Sequence, residues 1–338
     1  MSGTIDRREF LTRSALGVAA LTLPRVRRPF DPSADALTGM FLSLPPWALA
    51  RNVGWPEQAR VAARAGYKGI DWPFGPARTA GVEATKALLG ELAIAPNATN
   101  LPMREPLGAD DAAFEAQLPK LAEDAAFCRA IGCSRFQIVL SPTTLNGESK
   151  EARQVVVQRR LSALAAVLAP HEMRLGVEFL GPLMFRRRRN RPGTTPADSA
   201  APSPPQPVPF VWTLNETLPL CEAAGPNIGV TLDAWHWHHS GGTVADIRAM
   251  SASRVVHVHI SDAAPMPPEE VRDDVRLMPG EGVIDLMGFL HALKAIDYHG
   301  GVAPEILGPR IPAGMSPDES ARLGLEATLA VMRKAGVA

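Results

Sequence analysis

The sequence predicts an α/β fold, a single (β/α)8 barrel, on three observations. Short apolar runs of strand type alternate with helical runs along the chain. The alternation reaches eight. No Gly-x-Gly-x-x-Gly follows the first strand, which disfavours a doubly wound open sheet. The eight strand runs are mostly apolar without strict alternation, as parallel strands covered on both faces are.

The strands are expected at Met40–Leu44, Gly69–Trp72, Ile94–Asn97, Arg135–Leu140, Arg174–Phe179, Ile228–Asp233, Val255–Ile260 and Gly301–Ile306. Helical runs follow each in turn: Pro56–Ala65, Val82–Leu92, Ala112–Ile131, Glu151–Leu168, Thr217–Ala224, Val244–Ser251, Leu286–Ile296 and Pro317–Lys334. Asp111 and Ser316 have the side chains of N-caps, and Gly66 and Gly132 suit helix stops.

The 338 residues exceed the roughly 250 of an ordinary barrel. Two segments account for the surplus. Asp6-Arg7-Arg8-Glu9-Phe10-Leu11, followed by an apolar stretch from Ser14 to Leu23, has the form of a twin-arginine export signal. Ala34-Asp35-Ala36 offers a small-x-small cleavage candidate, so residues 1–36 are expected to be a signal segment and 37–338 the barrel. The stretch is too short for a stable membrane span, which needs about 20 apolar residues. Export through the twin-arginine machinery to the periplasm is the expectation. The second segment, 186–209, begins with four arginines and holds seven prolines with almost no large apolar side chain. It cannot bury enough surface to offset its ordering entropy, and is expected to be a flexible insertion.

Thirty-five basic and 35 acidic residues cancel, which argues against a general nucleic-acid binder. Three cysteines without a Cys-x-x-Cys exclude a disulfide framework and make a Cys-ligated zinc improbable. Oligomeric state, homo-oligomers included, is left open.

Polar residues collect at the ends of the later strands. Glu178, Asp233 and Glu305 each close an apolar run, and His257 and His259 alternate in Val255–Ile260. A carboxylate at such a place is costly unless paired or bound to a metal. Two Glu, one Asp and one His make a hard, mixed oxygen and nitrogen donor set. It suits one divalent ion such as Mn, Mg, Co or Zn. Residues two apart on a strand share a face, so both histidine rings reach one side. Asp233-Ala234-Trp235-His236 places His236 at the start of the next loop, where it can meet a substrate hydroxyl. Trp235 and Trp237 are candidates for stacking on a sugar ring or, preferably, for covering the barrel mouth. His238 and His239 are read as loop residues.

These segments, with Arg276-Leu277-Met278-Pro279-Gly280-Glu281-Gly282 and Pro304-Glu305, resemble the sugar phosphate isomerase/epimerase family of the xylose isomerase-like TIM barrel superfamily. The resemblance covers about residues 38–338. It implies a divalent metal held by Glu178, Asp233, His259 and Glu305. It implies substrate contacts from His236 and Arg276 and an acidic residue at Asp262, while His257 and Trp235 are further substrate candidates by their own placement. Pairing of Asp262 with Arg276 across the loop is the structural alternative. The implied chemistry is α-proton abstraction from a keto sugar, keto-glycoside or polyol through a metal-stabilised enediolate. Glu178 and Glu305 are the acid/base pair. Isomerisation, epimerisation and lyase or dehydratase outcomes all remain open. Two other readings compete. An AP endonuclease-like phosphodiesterase needs further metal-binding histidines, but Asp274-Val275-Arg276 puts arginine at one such position. A non-catalytic sugar-binding barrel would lose metal ligands, and none of the four is lost.

Overall fold

The computed structural model describes residues 34–108, 110–187 and 208–338. The twin-arginine segment up to residue 33, and residues 188–207 of the expected insertion, lie outside the described residues.

Eight parallel strands close into a barrel in chain order. They are β1 Met40–Leu44, β2 Gly69–Asp71, β3 Ala95–Asn100, β4 Arg135–Leu140, β5 Arg174–Phe179, β6 Ile228–Asp233, β7 Val255–Ile260 and β8 Gly300–Pro304. Each is followed by a helix of the outer layer: α1 Glu57–Ala65, α2 Val82–Leu92, α3 Leu118–Ala130, α4 Lys150–Leu168, α5 Leu214–Ala224, α6 Val244–Arg248, α7 Leu286–Ala295 and α8 Pro317–Lys334. The fold expectation holds. Among the described residues no helix is long and apolar enough to cross a membrane.

Local chemistry sets the helix ends. Ser316 caps α8 by accepting from the Glu319 amide, and Gly66 ends α1 at φ +98°, a left-handed conformation that only glycine adopts cheaply. The run expected at Ala112–Ile131 is broken. A short helix, Asp111–Glu115, is capped by Asp110 rather than Asp111, and α3 restarts at Leu118. Pro119 lacks the N–H that a continuous helix would need there and is tolerated only in a first turn.

Side-by-side residues of parallel strands share a face. Phe136, Leu175, Val177, Ile228, Val230, Val258 and Val302 point outward and are fully buried beneath the helices. The inner face is small or polar: Ser43, Asp71, Asn97, Gln137, Thr231 and His257 are buried there. Gly301 is required in this layer, since a Cβ would run into the Asn97 carboxamide.

The strands' N-terminal end is closed by a single turn, Ala34–Ala36. Ala34 packs with Phe41 and Ala95. Asp35 accepts from Ser134 Oγ (2.8 Å) and pairs with Arg129 (3.1 Å) and with buried Arg135 (3.1 Å). Asp35 thus supplies a counter-charge to the buried Arg135. At the other end the insertion leaves after β5. It returns at Val208–Phe210, where Pro209 bridges Thr143 in the loop after β4.

Candidate metal and substrate centre at the barrel mouth

Glu178 ends β5 one residue early, Asp233 ends β6, His259 lies near the end of β7 and Glu305 follows β8. Register places them together: Asp233 sits beside His259, and His259 beside Ala303, two residues before Glu305. One donor atom from each of the four lies within 4.8 Å of the others. His259 Nδ1 is 3.0 Å from Glu178 Oε1 and 3.5 Å from Glu305 Oε2. At that distance from a carboxylate Nδ1 carries a proton and donates to Glu178 Oε1, while Nε2 is buried without a partner. Three carboxylates and one imidazole at this spacing fit a divalent cation.

The electrostatics are strongly coupled. Burial pushes the Glu178 carboxyl up to about 7, against the pull of His259. Burial would also raise Asp233, but Arg276 and then His236 hold it well below the usual carboxylate range. Burial works against a charged His259, yet Glu305 and Glu178 raise it to about 10.

Arg276 lies within this cluster. Its Nη1 donates to Asp233 Oδ2 (2.7 Å) and Glu305 Oε2 (2.9 Å). Nε and Nη2 donate to Asp273 Oδ1 (2.9 and 2.7 Å), and Nη2 also donates to His236 Nε2 (3.3 Å). All five N–H groups have partners within the protein. The alternative pairing with Asp262 is corrected. Asp262 instead accepts the amides of Ala263, Gly280, Gly282 and Ile284 and locks the turn after Arg276.

His236 accepts from Arg276 at Nε2, which leaves its proton on Nδ1, buried without a partner. Burial lowers its pKa to about 4, so the ring is neutral. Trp235 does not lie open at the mouth in this structure. Asp233 Oδ1 caps the short helix Ala234–His239, and this turns Trp235 inward. The indole is buried, with the Arg276 guanidinium 4.7 Å from its ring centre. Trp237 is buried too and donates to the Thr243 carbonyl. His238 and His239, in that same helix rather than a loop, line a cavity of about 330 Å³ with Met266 and Val271.

His257 shares a face with His259 as expected, their ring centres 4.7 Å apart, but it faces into the barrel. Asn97 Nδ2 donates to Asp71 Oδ1 (2.7 Å) and approaches His257 Nδ1 (3.2 Å). An amide N–H can only donate, so Nδ1 accepts and Nε2–H donates to Asp71 Oδ2 (2.8 Å). Ser43 Oγ donates to the same carboxylate (2.7 Å). Both His257 nitrogens are engaged within the barrel.

Sequence reasoning missed Trp47. Its indole N–H donates to Glu305 Oε1 (2.7 Å), and its ring meets His259 edge-on at 6.1 Å. It follows β1 within Pro45-Pro46-Trp47, where no spacing signal marks it. Asp71, which ends β2 as the other carboxylates end theirs, was equally available and passed over.

The fold and this centre together define a (β/α)8 barrel with an acidic and imidazole cluster on its last four strands. The chain belongs to the xylose isomerase-like TIM barrel family, which it matches over residues 59–334. Inosose isomerase of Halalkalibacterium halodurans is 26% identical over 175 residues, 52% of this chain and 53% of that protein. Inosose isomerase of Bacillus licheniformis is 27% identical over 207 residues, 61% and 66% respectively. The chain thus spans between half and two thirds of the length of these curated relatives. A xylose isomerase domain protein from Alicyclobacillus acidocaldarius superposes with TM-score 0.75 at 28% identity, covering 88% of this chain and 99% of that one. An IolI protein with a bound zinc atom superposes with TM-score 0.69 at 20% identity, covering 87% and 99%, and shares the fold.

Proposed function

We propose that this protein is a divalent-metal-dependent isomerase or epimerase of a keto sugar or keto-polyol, an inosose being the first substrate to try. The observation that carries this reading is the meeting of Glu178 and Glu305, from β5 and β8, at one nitrogen of His259. The likeness to inosose isomerases supports the substrate class. Glu178, Asp233, His259 and Glu305 would hold the ion, which supplies polarisation of a carbonyl and its neighbouring hydroxyl and so acidifies the α-proton.

The side chains do the rest. Glu178 and Glu305 remove and return the proton from opposite sides, each through a carboxylate oxygen. Trp47 and Arg276 fix the Glu305 carboxylate from its two oxygens. Neutral His236 offers its Nδ1–H as a donor. Return of the proton to the neighbouring carbon isomerises, and return to the opposite face epimerises.

The test is solvent deuterium exchange at the substrate α-carbon, followed by NMR, with metal content measured in parallel. Glu178→Gln and Glu305→Gln should each slow exchange by about 10²–10⁴-fold while retaining metal. Wild-type exchange in both variants would refute the acid/base assignment. We propose further that the chain is exported through the twin-arginine route, on the strength of Arg7-Arg8 before the apolar stretch. Replacing both arginines by lysine should hold the protein in the cytoplasm, as read by cell fractionation.

A further inference from the structure

We infer that Asn100, Gln137 and Val139 form the wall that reads the substrate body away from the reacting carbons, and that this wall selects an uncharged, polyhydroxylated body. The inference rests on the barrel mouth being the substrate site.

The placement comes from register. Val139 pairs side by side with Glu178, and Gln137 with Gly176. Glu178 points inward to the cluster, so Val139 does as well, and so does Gln137 two residues earlier. Asn100 pairs with Gln137 across β3 and β4, and their side chains join: Gln137 Nε2 donates to Asn100 Oδ1 (3.1 Å). Strands four apart in a closed eight-strand barrel stand opposite one another. The β3–β4 wall therefore faces β7 and β8, which carry His259 and Glu305. A substrate whose reacting carbons lie between Glu178 and Glu305 must turn its remaining carbons toward this wall.

Exposure shows that the wall is open. Val139 is 53% exposed although it lies on the inner face of a closed strand. Only the mouth can supply that exposure. Asn100 at the end of β3 is exposed as well. Gln137 is only 6% exposed, and its Oε1 is buried with no partner. The two carboxamides can turn over together. In one state Asn100 offers Nδ2–H to the mouth. In the other it offers Oδ1, and its Nδ2–H satisfies Gln137 Oε1. The wall thus presents a donor or an acceptor at the same point.

A hydroxyl group matches both states, because it donates and accepts. A phosphate or carboxylate matches only the donor state and finds no cation on these strands. The one basic residue of β3 and β4, Arg135, sits at the opposite end, paired with Asp35. Val139 gives an apolar surface for the C–H face of a ring. Together these features describe a ring or chain of hydroxyls and not a phosphorylated sugar.

The test compares Asn100→Ala and Asn100→Ser with the wild-type holoenzyme, using an inosose, its deoxy analogue lacking a remote hydroxyl, and its phosphorylated counterpart. Thermal melts establish that each variant is folded. Asn100→Ala should raise KM for the inosose about 10–100-fold, shift the exchange rate at saturation far less, and abolish discrimination against the deoxy analogue. Asn100→Ser should restore part of both. Unchanged KM and discrimination in Asn100→Ala, or a phosphorylated counterpart preferred by the wild type, would overturn the inference. If no keto-polyol undergoes exchange in the wild type, the proposed reaction fails and this inference is judged on binding. Calorimetry with myo-inositol should then show binding lost in Asn100→Ala, and equal binding or none by either protein counts against it.

Discussion

Trp47 holds one oxygen of Glu305 while Arg276 holds the other, so the proposed acid/base carboxylate has little freedom to rotate. A neutral donor to a carboxylate is worth about 1.5–3 kcal/mol. Trp47→Phe keeps the ring against His259 and removes only the N–H. It should lower the exchange rate at saturating substrate by about tenfold or more with an unchanged melting temperature. Below the cluster, Asp71 accepts from Ser43, Asn97 and His257 with no exposure to water. Asp71→Ala leaves three buried donors unpaired and should cost about 3–5 kcal/mol, read by urea unfolding. The metal-type donors were legible in the sequence because each stands where an apolar strand ends. Trp47 was not, because its role exists only where the loop after β1 folds over the end of β8. Arg276 was legible as a site residue but not in its role, which depends on the Asp233 and Asp273 carboxylates that surround it.

Seven of the strands lie within two residues of where the apolar runs place them, and β3 is the exception. It continues to Asn100, whereas the sequence suggests a stop at Asn97. Asn97, Thr99 and Asn100 break the apolar pattern, and the register between β2 and β3 shifts after Ile70. A strand whose inner face is polar has no hydrophobic signature at that end, so Asn100 and its partner Gln137 went unseen. The segment after β7 shows the same dependence on tertiary contacts. Asp262 gathers four amides and pairs its backbone with Leu277 in both directions (2.9 and 2.8 Å). Asp262→Ala should release the turn at 279–284 and with it the Arg276 guanidinium. Faster amide exchange at Gly280, Gly282 and Ile284, together with weakened substrate turnover, is the expected outcome. Gly282→Ala should act in the same direction, because a Cβ there meets the Ala263 carbonyl.

At the scale of the whole molecule the barrel is finished at both ends by polar groups of opposite purpose. The mouth concentrates carboxylates, an imidazole and an arginine in one cluster. The floor pairs one carboxylate, Asp35, with two arginines, one of them buried. Asp35→Ala would strand Arg135 and should cost about 2–3 kcal/mol, a fall of roughly 4–10 °C in the melting temperature of a domain this size. The length of the chain pointed to one barrel plus two additions, and the described residues bear out the barrel. Ala34 and Asp35 look like leader sequence by composition, yet they are tied to residues a hundred positions away.

If the chain is exported as proposed, that floor bears on where a leader could be removed. A peptidase cutting after Ala36 would carry off the counter-ion of Arg135 and uncover Phe41 and Ala95. A cut compatible with the intact barrel falls on the N-terminal side of Ala34, and N-terminal sequencing of a secreted form should begin there or earlier. In the folded protein Ala34 and Asp35 instead close the floor of the barrel, through packing on Phe41 and Ala95 and pairing with Arg135.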